Sequence, residues 1–427
     1  MFAPGSTGKL TGHRDTARTR RRSGRDRPVG PPLSRRWIPL LVSSAVALGL
    51  TACASATGSS GTADQTAGVN GKTIVIGNSA ILSGPEAAYA SISSAFVKYM
   101  DQVDAAGGVN GYKIKVVTLD NTYTAAQSVA VARQLVNQDH VFLLTVAGTT
   151  PTQALVPIAS QLALPVVFVA NPDILTGKSV PNMYGIEPSF TREMLFDEAY
   201  AIDHLHATKI AYAYENDDIG TPPLAALPKY AQAHSAKLET EVGFEATATD
   251  YSSEASRLQA SGANVVIVGA GPANLAGLQH AAAAIGYSPK WIGLFASVTP
   301  AYVQLAGKLA NGVYMDSFYA LTNSGTAKVQ AFVKAIGTST GILGELGWTQ
   351  AAAIVAAIRK ATSDGGTLTR GSVVKALGSI TGTPVGVWPG VTWTASNHAG
   401  ATKASIVEIV NGKFVPVTQF EQLPAAP

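Results

Sequence analysis

Residues 265–278, VVIVGAGPANLAGL, place two closely spaced glycines between an apolar run and a helix-like stretch. That arrangement can bring backbone amides against a pyrophosphate, so the chemistry to consider first is dinucleotide binding. Gly269 and Gly271 occupy the first two places of the pattern, but Asn274 stands at the third. An acidic residue for the ribose belongs about 20 residues further on, and residues 290–297 read KWIGLFAS without one. The pattern is incomplete. No other grouping supplies a reaction centre. The seven histidines, including His204, His206 and His280, have neither His-Glu-x-x-His nor Cys/His metal spacing. In residues 378–382, GSITG, serine sits one place too early for a nucleophile elbow. His204 and His206 fall near an expected helix end, where a dipole contact accounts for them. The chain is expected to be no enzyme and to hold no cofactor or metal.

Residues 146–151, VAGTTP, offer binding rather than catalysis. Thr150 suits an N-cap and Pro151 a first helical position, leaving free N–H groups to face an incoming oxygen. Such a terminus attracts a carboxylate or another electron-rich atom. An ordinary capped helix without a ligand explains the same residues. Cys53, the only cysteine, carries a different chemistry. It follows an apolar stretch, residues 37–50, too short to span a bilayer comfortably and of signal-peptide length. Residues 50–53, LTAC, resemble the bacterial lipobox, which implies diacylation of Cys53 after cleavage. Two lipid chains, at roughly 0.8 kcal/mol per buried methylene, anchor a protein stably to a membrane. The expected mature protein is extracytoplasmic, lipid-anchored to the cell membrane and free of disulfides.

Charge narrows the partners. Of the 31 Lys and Arg, ten lie in the first 36 residues beside only Asp15 and Asp26, so 21 basic residues face 25 acidic ones beyond that point. The remainder is mildly acidic, and nucleic-acid binding loses its electrostatic support. The small polar run from Cys53 to residue 71 reads as a flexible tether.

From Lys72 onward strand-like runs alternate with helical patterns: TIVIG, KIKVVTLD, VFLLTV, LPVVFV, KIAYAY, NVVIVG and KWIGLF, each followed by a helix-like segment. Repeated β-then-α units imply parallel sheets covered by helices on both faces. Ligands of such sheets collect at the carboxyl ends of the strands. The units fall into two series, which predicts an α/β fold of two doubly wound parallel-sheet lobes joined by a short hinge. The expected boundaries are 1–52 for a signal peptide with a basic extension and 53–71 for the lipidated tether. Lobe 1 takes 72–188 and 316–385, and lobe 2 takes 189–315 and 386–427, with a helix over 345–361.

Several phrases occur in an order that matches a known family: AILSGPEAAYA (80–90), DQVDAAGGVNGYKIKVVTLDN (101–121), TVAGTT followed by ALVPIASQLALPVV, and TDYSSEASRLQASGANVVIV (249–268). Over residues 72–417 the chain resembles the type I periplasmic solute-binding proteins. Within them it is most similar to the leucine/isoleucine/valine-binding family of ABC importers, which also includes binders of amides, urea and aromatic acids. The resemblance implies a small-molecule solute held between the lobes, an ABC permease as partner, and a monomer. It turns residues 265–278 into a second-lobe strand, a cleft-facing turn and a helix, with no dinucleotide.

On the same footing the first lobe is expected to hold the solute through Ser83, through Ala147, Gly148, Thr149 and Thr150, and through Ala170 and Asn171. Tyr89 and Tyr123 could add aromatic walls, though tyrosines near helix starts commonly serve packing. The second lobe would close with Ile219, Ala270, Gly271 and Ser297. Here the chain departs from amino-acid binders of the family. Ile219 replaces the aromatic of a D-x-x-Y-G phrase, Ala270 and Gly271 stand where a tyrosine is common, and residues 295–297 lack the glutamate that pairs with a ligand ammonium. Losing that acid should reject zwitterions by several kcal/mol unless Asp217 or Asp218 replaces it. The expected solute is a carboxylate, an amide, a urea-like molecule or an aromatic acid rather than a branched-chain amino acid. A ligand sensor of the same fold, signalling to a membrane partner, is the alternative. An exported flavin-binding enzyme would require bound flavin.

Overall fold

The computed structural model describes residues 65–425, apart from residues 85, 163, 177, 364, 383–385, 388 and 395 and the side chain of Ala88. Cys53, the signal peptide and the first part of the tether lie outside the described residues.

The first half alternates strands and helices: β1 (Val69–Asn70), β2 (Thr73–Ala80), α1 (Ala90–Ala105), β3 (Lys113–Asp120), α2 (Ala125–Asn137), β4 (Leu143–Ala147), α3 (Thr149–Leu155), α4 (Ala159–Leu162), β5 (Val166–Val169) and β6 (Met183–Gly185). A second series follows: α5 (Phe190–Asp203), β7 (Lys209–Glu215), α6 (Leu227–Ala233), β8 (Lys237–Phe244), α7 (Ser252–Ser261), β9 (Val265–Gly269), α8 (Pro272–Ala284), β10 (Lys290–Gly293), α9 (Pro300–Ala306) and β11 (Tyr314–Ser317). The chain ends with α10 (Ala327–Ile336), α11 (Gly341–Ala361), α12 (Arg370–Leu377), β12 (Lys403–Val410), β13 (Lys413–Pro416) and β14 (Glu421–Gln422).

These strands form two sheets. In the first, β3, β2, β4, β5 and β6 are parallel neighbours in that order, with β1 antiparallel on the start of β2. In the second, β8, β7, β9, β10 and β11 are parallel neighbours, extended antiparallel by β12 and β13. The expected pair of doubly wound lobes is the observed architecture. In each sheet the first strand of the series sits inside the order, so winding reverses between β2 and β4 and again between β7 and β9. Crevices open at such reversals, outside the carboxyl ends of the strands.

The apolar runs are buried on both faces because helices cover both. Ile74 and Ile76 face the core that holds Phe96 and Met100 of α1, while Val75 between them faces Val131 and Leu135 of α2. That alternation is the period of two that a strand imposes. Helix α11 begins four residues before the expected Glu345. It is long and apolar enough to cross a membrane, yet 83% of its most apolar stretch is buried inside the fold. A helix apolar on all sides belongs to a core. Its closest neighbour is α1, against which a Cβ on Gly347 would lie 1.9 Å from the carbonyl oxygen of Ile92.

Two stretches differ from expectation. Residues 65–71, read as tether, are part of the fold. Gln65 accepts from the Arg370 and Gly371 amides through its carbonyl and side-chain oxygens (2.8 and 2.9 Å), and Val69 pairs with Ile74. Residues 391–401, on the second-lobe side of the expected boundary at 386, pack on the first sheet. There Trp393 Nε1 donates to Gly185 O at 2.8 Å, and the Gly400 and Ala401 amides donate to Glu187 O and Ile186 O. The chain thus passes between the sheets three times, and two of the crossings, near 187 and near 400, are hydrogen-bonded to each other.

Candidate functional site: the cleft between the lobes

The carboxyl ends of the two sheets meet. Asn171, just past β5, is fully enclosed and sends Nδ2 across to the Asp218 carbonyl, just past β7, at 2.8 Å, while its Oδ1 caps the following turn at Asp173 N (3.0 Å). This bond joins the first lobe to the second. Beside it runs a groove of about 460 Å³ lined from both lobes by Gln153, Lys178, Arg192, Asp218 and Lys229; of the expected residues it includes Asn171 alone.

Of the other expected first-lobe residues, Gly148 and Thr150 lie against Tyr123. Asn121, buried at the end of β3, donates Nδ2 to Ser79 O, Ser79 Oγ and Ala147 O, and accepts from Tyr123 N at 2.9 Å. It ties together the ends of β2, β3 and β4. Thr122 and Tyr123 consequently take left-handed backbone, φ +49° and +57°, which non-glycine residues adopt rarely and mostly at functional or tightly determined positions. Tyr123 stands 6.3 Å, ring to ring, from Tyr89, and its hydroxyl pairs with Thr150. Ser83 is exposed, with its hydroxyl on Asp120. Burial alone would raise Asp120, but hydrogen bonds from Ser83 and from the Leu82 and Thr122 amides hold it below the usual carboxylate range.

The helix start differs in detail from its sequence reading. Thr150 is not the N-cap and Pro151 is not the first helical residue. Helix α3 starts at Thr149 and its N-cap is Gly148, at φ +98°. The Gly148 carbonyl accepts from Thr152 N and Thr152 Oγ1 (3.0 and 2.7 Å). Glycine wins the cap because only it reaches this backbone without a Cβ, which would lie 2.8 Å from the Tyr123 ring. Thr150 is exposed, and Thr149 Oγ1 lies 3.4 Å from the Asn171 amide.

In the second lobe, the opening question about Gly269 and Gly271 has a packing answer. A Cβ on Gly269 would sit 2.2 Å from Tyr212 Oη. The Gly271 amide, where a phosphate would bind, donates instead to Glu215 Oε1 at 2.8 Å. A carboxylate of the chain itself fills that position. Ile219 is half-buried, its amide held by Asp217 Oδ1 at 2.8 Å, whereas Ala170 and Ala270 turn their side chains into the core. Ser297 is fully enclosed and its Oγ has no hydrogen-bond partner. The loop 295–297 does have an acid, but beneath it: Asp316 of β11, fully buried, accepts from Phe295 N at 2.8 Å. Around it lie Glu193 and Asp197 of α5, both raised well above the usual carboxylate range by burial and by repulsion from Asp316, while burial raises Asp316 itself to about 7 against hydrogen bonds from Glu193 and the Phe295 amide.

The cleft is therefore not short of carboxyls, as residues 295–297 suggested. Burial, then Glu86, Asp217 and Glu187, push Tyr123 up to about 12, with the Thr150 hydrogen bond opposing. Burial, Tyr123, Glu86, Glu187 and Glu215 raise Tyr89 further. Burial raises Glu215, with the Gly271 amide opposing and Asp217 adding. These acids stand at 86, at 187, and at 215 and 217 at the end of β7, on three separate parts of the chain, and no local spacing announces them. Among the described residues no group of three His, Cys, Asp or Glu could hold a metal ion.

Comparison with known proteins agrees with the fold. The sequence pattern of the periplasmic binding protein family matches residues 73–413. An amino acid binding protein of Pseudomonas aeruginosa is 27% identical over 175 residues, 40% of this chain and 46% of that protein, so the chain spans under half of that relative's length in the match. A branched-chain amino acid ABC transporter structure from Thermus thermophilus with bound valine superposes with TM-score 0.71 at 20% identity, covering 82% of this chain and 96% of that one. A fatty acid ABC transporter substrate-binding protein from Thermomonospora curvata gives TM-score 0.72 at 19% identity, covering 85% and 97%. With the family pattern running from the first long strand into the penultimate one, over two lobes that face each other across a cleft, this chain is a member of the periplasmic binding protein family.

Proposed function

We propose that this protein is the extracytoplasmic solute-binding component of an ABC importer, capturing one small polar organic solute by closing its two lobes. The observation that carries the reading is the meeting of two winding reversals. Ser83 and Ala147–Thr150 follow β2 and β4, Glu215–Ile219 and Ala270–Gly271 follow β7 and β9, and the Asn171–Asp218 bond joins the two lobes beside them. A ligand touching both lobes favours the closed state by its differential affinity. In this reading Ser83, Thr149, Thr150 and Asn171 hold the solute from the first lobe, and Ile219 and Gly271 close from the second. Ala147, Gly148, Ala170, Ala270 and Ser297 shape the backbone behind them. Lipid on Cys53 tethers the monomer beside its permease.

The test is a thermal-shift screen of the full chain against amino acids, alkylamines and quaternary ammonium compounds, short amides, urea, and aliphatic and aromatic carboxylates. Binding to the folded state alone raises the melting temperature by mass action. At least one class should shift it. No shift with any class would remove the solute-binding reading.

A further inference from the structure

The groove beside the Asn171–Asp218 bond carries a charge pattern that the solute reading does not use. Three of its lining side chains are cations: Lys178, on the connection between β5 and β6, and from the second lobe Arg192 of α5 and Lys229 of α6. Lys178 and Arg192 also line an adjoining cavity of about 570 Å³. Among the described residues none of the three cations forms an ion pair. Lys178 Nζ donates to Ile174 O at 2.7 Å, and Arg192 donates Nε to Pro424 O and Nη2 to Leu423 O at 2.7 and 2.6 Å. Those bonds leave Arg192 Nη1 and further ammonium protons as open donors.

Two carboxylates line the same groove, Asp173 and Asp218. Asp173 Oδ2 already accepts from Thr191 N and Thr191 Oγ1, at 3.1 and 3.0 Å, whereas Asp218 engages Asn171 only through its carbonyl. Two polar lining groups are buried and fixed: Asn171 and Ser189, 1% and 8% exposed, accept from the Asp173 and Arg192 amides.

Unpaired cations around one cavity repel each other, and an anionic guest relieves that repulsion. Ammonium and guanidinium groups recognise carboxylate and phosphate oxygens through charge-assisted hydrogen bonds. About 460 Å³ is space for a small organic molecule, since ligand pockets run from roughly 300 to 1,000 Å³. The cations stand on both lobes, so a guest with one anionic group answers one wall only, and a guest with two answers both.

We propose that this groove is a second ligand site, taking a small organic molecule with two or more carboxylate or phosphate groups that bridges Lys178 to Arg192 and Lys229. The proposal goes beyond the solute-binding reading and does not depend on it. Of the residues assigned to the solute the groove includes Asn171 alone, whose side-chain amide is held by Asp218.

The experiment is isothermal titration calorimetry of the full chain at constant ionic strength. Citrate and glycerol phosphate are the probes, and acetate and glycerol their monoanionic and neutral counterparts. At least one probe should bind saturably, one per chain, and at least about tenfold more tightly than its counterpart; which probe binds separates carboxylate from phosphate. Lys178→Gln and Lys229→Gln should each weaken that binding about fivefold or more, while Lys308→Gln, the same charge change outside the groove, leaves it within about twofold. All three lysines are exposed, so these variants should melt like wild type without a probe, which separates lost binding from lost folding. Asp218→Asn keeps the carbonyl that Asn171 holds and removes a repelling carboxylate, so it should tighten binding. Saturable binding by neither probe would overturn the proposal, as would binding that survives Lys178→Gln combined with Lys229→Gln. A hit from the solute screen with at most one anionic group should bind Lys178→Gln as tightly as wild type; a parallel loss would merge the groove with the solute cleft and overturn a second site. Probe binding in a chain that answers no other solute would remove the solute-binding reading and leave this inference standing.

Discussion

The unpartnered Glu187 makes a quantitative prediction that needs no ligand. Its carboxyl is raised from 4.5 to about 8 by burial, so the folded chain holds a proton that the unfolded chain has lost. A raised acid contributes its full stability below the unfolded value, and that contribution falls as pH climbs toward the folded value and levels off above it. At about 1.4 kcal/mol per unit, the loss amounts to roughly 3 kcal/mol between pH 5 and pH 8. Glutamine keeps the shape and removes the ionisation. Its amide still lacks a partner, which costs about 1–3 kcal/mol at every pH, but the pH-dependent part disappears. The difference in melting temperature between Glu187→Gln and wild type should therefore grow between pH 5 and pH 8 by about 3–6 °C, at roughly 1–2 °C per kcal/mol for a chain of this size. Glu193, Asp197 and Asp316 are raised as well, but they are present in both proteins, so most of their contribution cancels in the difference. Scanning calorimetry in the two buffers, without added solute, measures it. A difference that stays constant from pH 5 to pH 8 would refute the burial of an unpartnered Glu187.

Three further outcomes follow from the cleft. Gly148→Ala puts a Cβ at φ +98° and 2.8 Å from the Tyr123 ring, which should cost about 1–3 kcal/mol in chemical denaturation; an unchanged midpoint would mean that the α3 start is not built this way. Asn171→Ala removes the Asp218 contact, worth about 1 kcal/mol, and should shift the closed-to-open ratio about fivefold, read by spin-label distances between the lobes. Thr149→Ala with Thr150→Ala should weaken solute binding while leaving the melting temperature within about 2 °C, because neither hydroxyl is enclosed; unchanged affinity would take the loop out of the site.

Much of the architecture is legible in the chain because backbone period and burial act locally. Runs such as VVIVG and LPVVFV are apolar on both faces only in sheets covered twice, and the order of units already contains the two series. The helix start at residues 147–151 was readable as a place but not as a cap: Thr-Pro has the composition of one, yet Gly148 takes it, because crowding by Tyr123 excludes any Cβ there. The role of Tyr123 itself depends on Asn121, whose three donated contacts reach residues 42 and 26 positions away. The cleft acids were hidden for the same reason. Glu187 sits in a connection, YGIEPS, whose sequence signals only a strand end and a helix cap, and its isolation is a property of the surrounding fold. Asp316, placed by the sequence reading at the start of the returning first-lobe segment, lies in β11 of the second sheet and supports the 295–297 loop from below where an acid was sought within it.

The central claim is capture by closure, and a distance measures it most directly. Gln127, exposed at the start of α2, and Glu245, exposed just after β8, stand at the carboxyl ends of the two sheets. With spin labels on cysteines at these positions in a chain lacking Cys53, pulsed dipolar spectroscopy should show two separations without solute. A solute that raises the melting temperature should collapse them into the shorter one. A distribution unchanged by every such solute would contradict capture between the lobes.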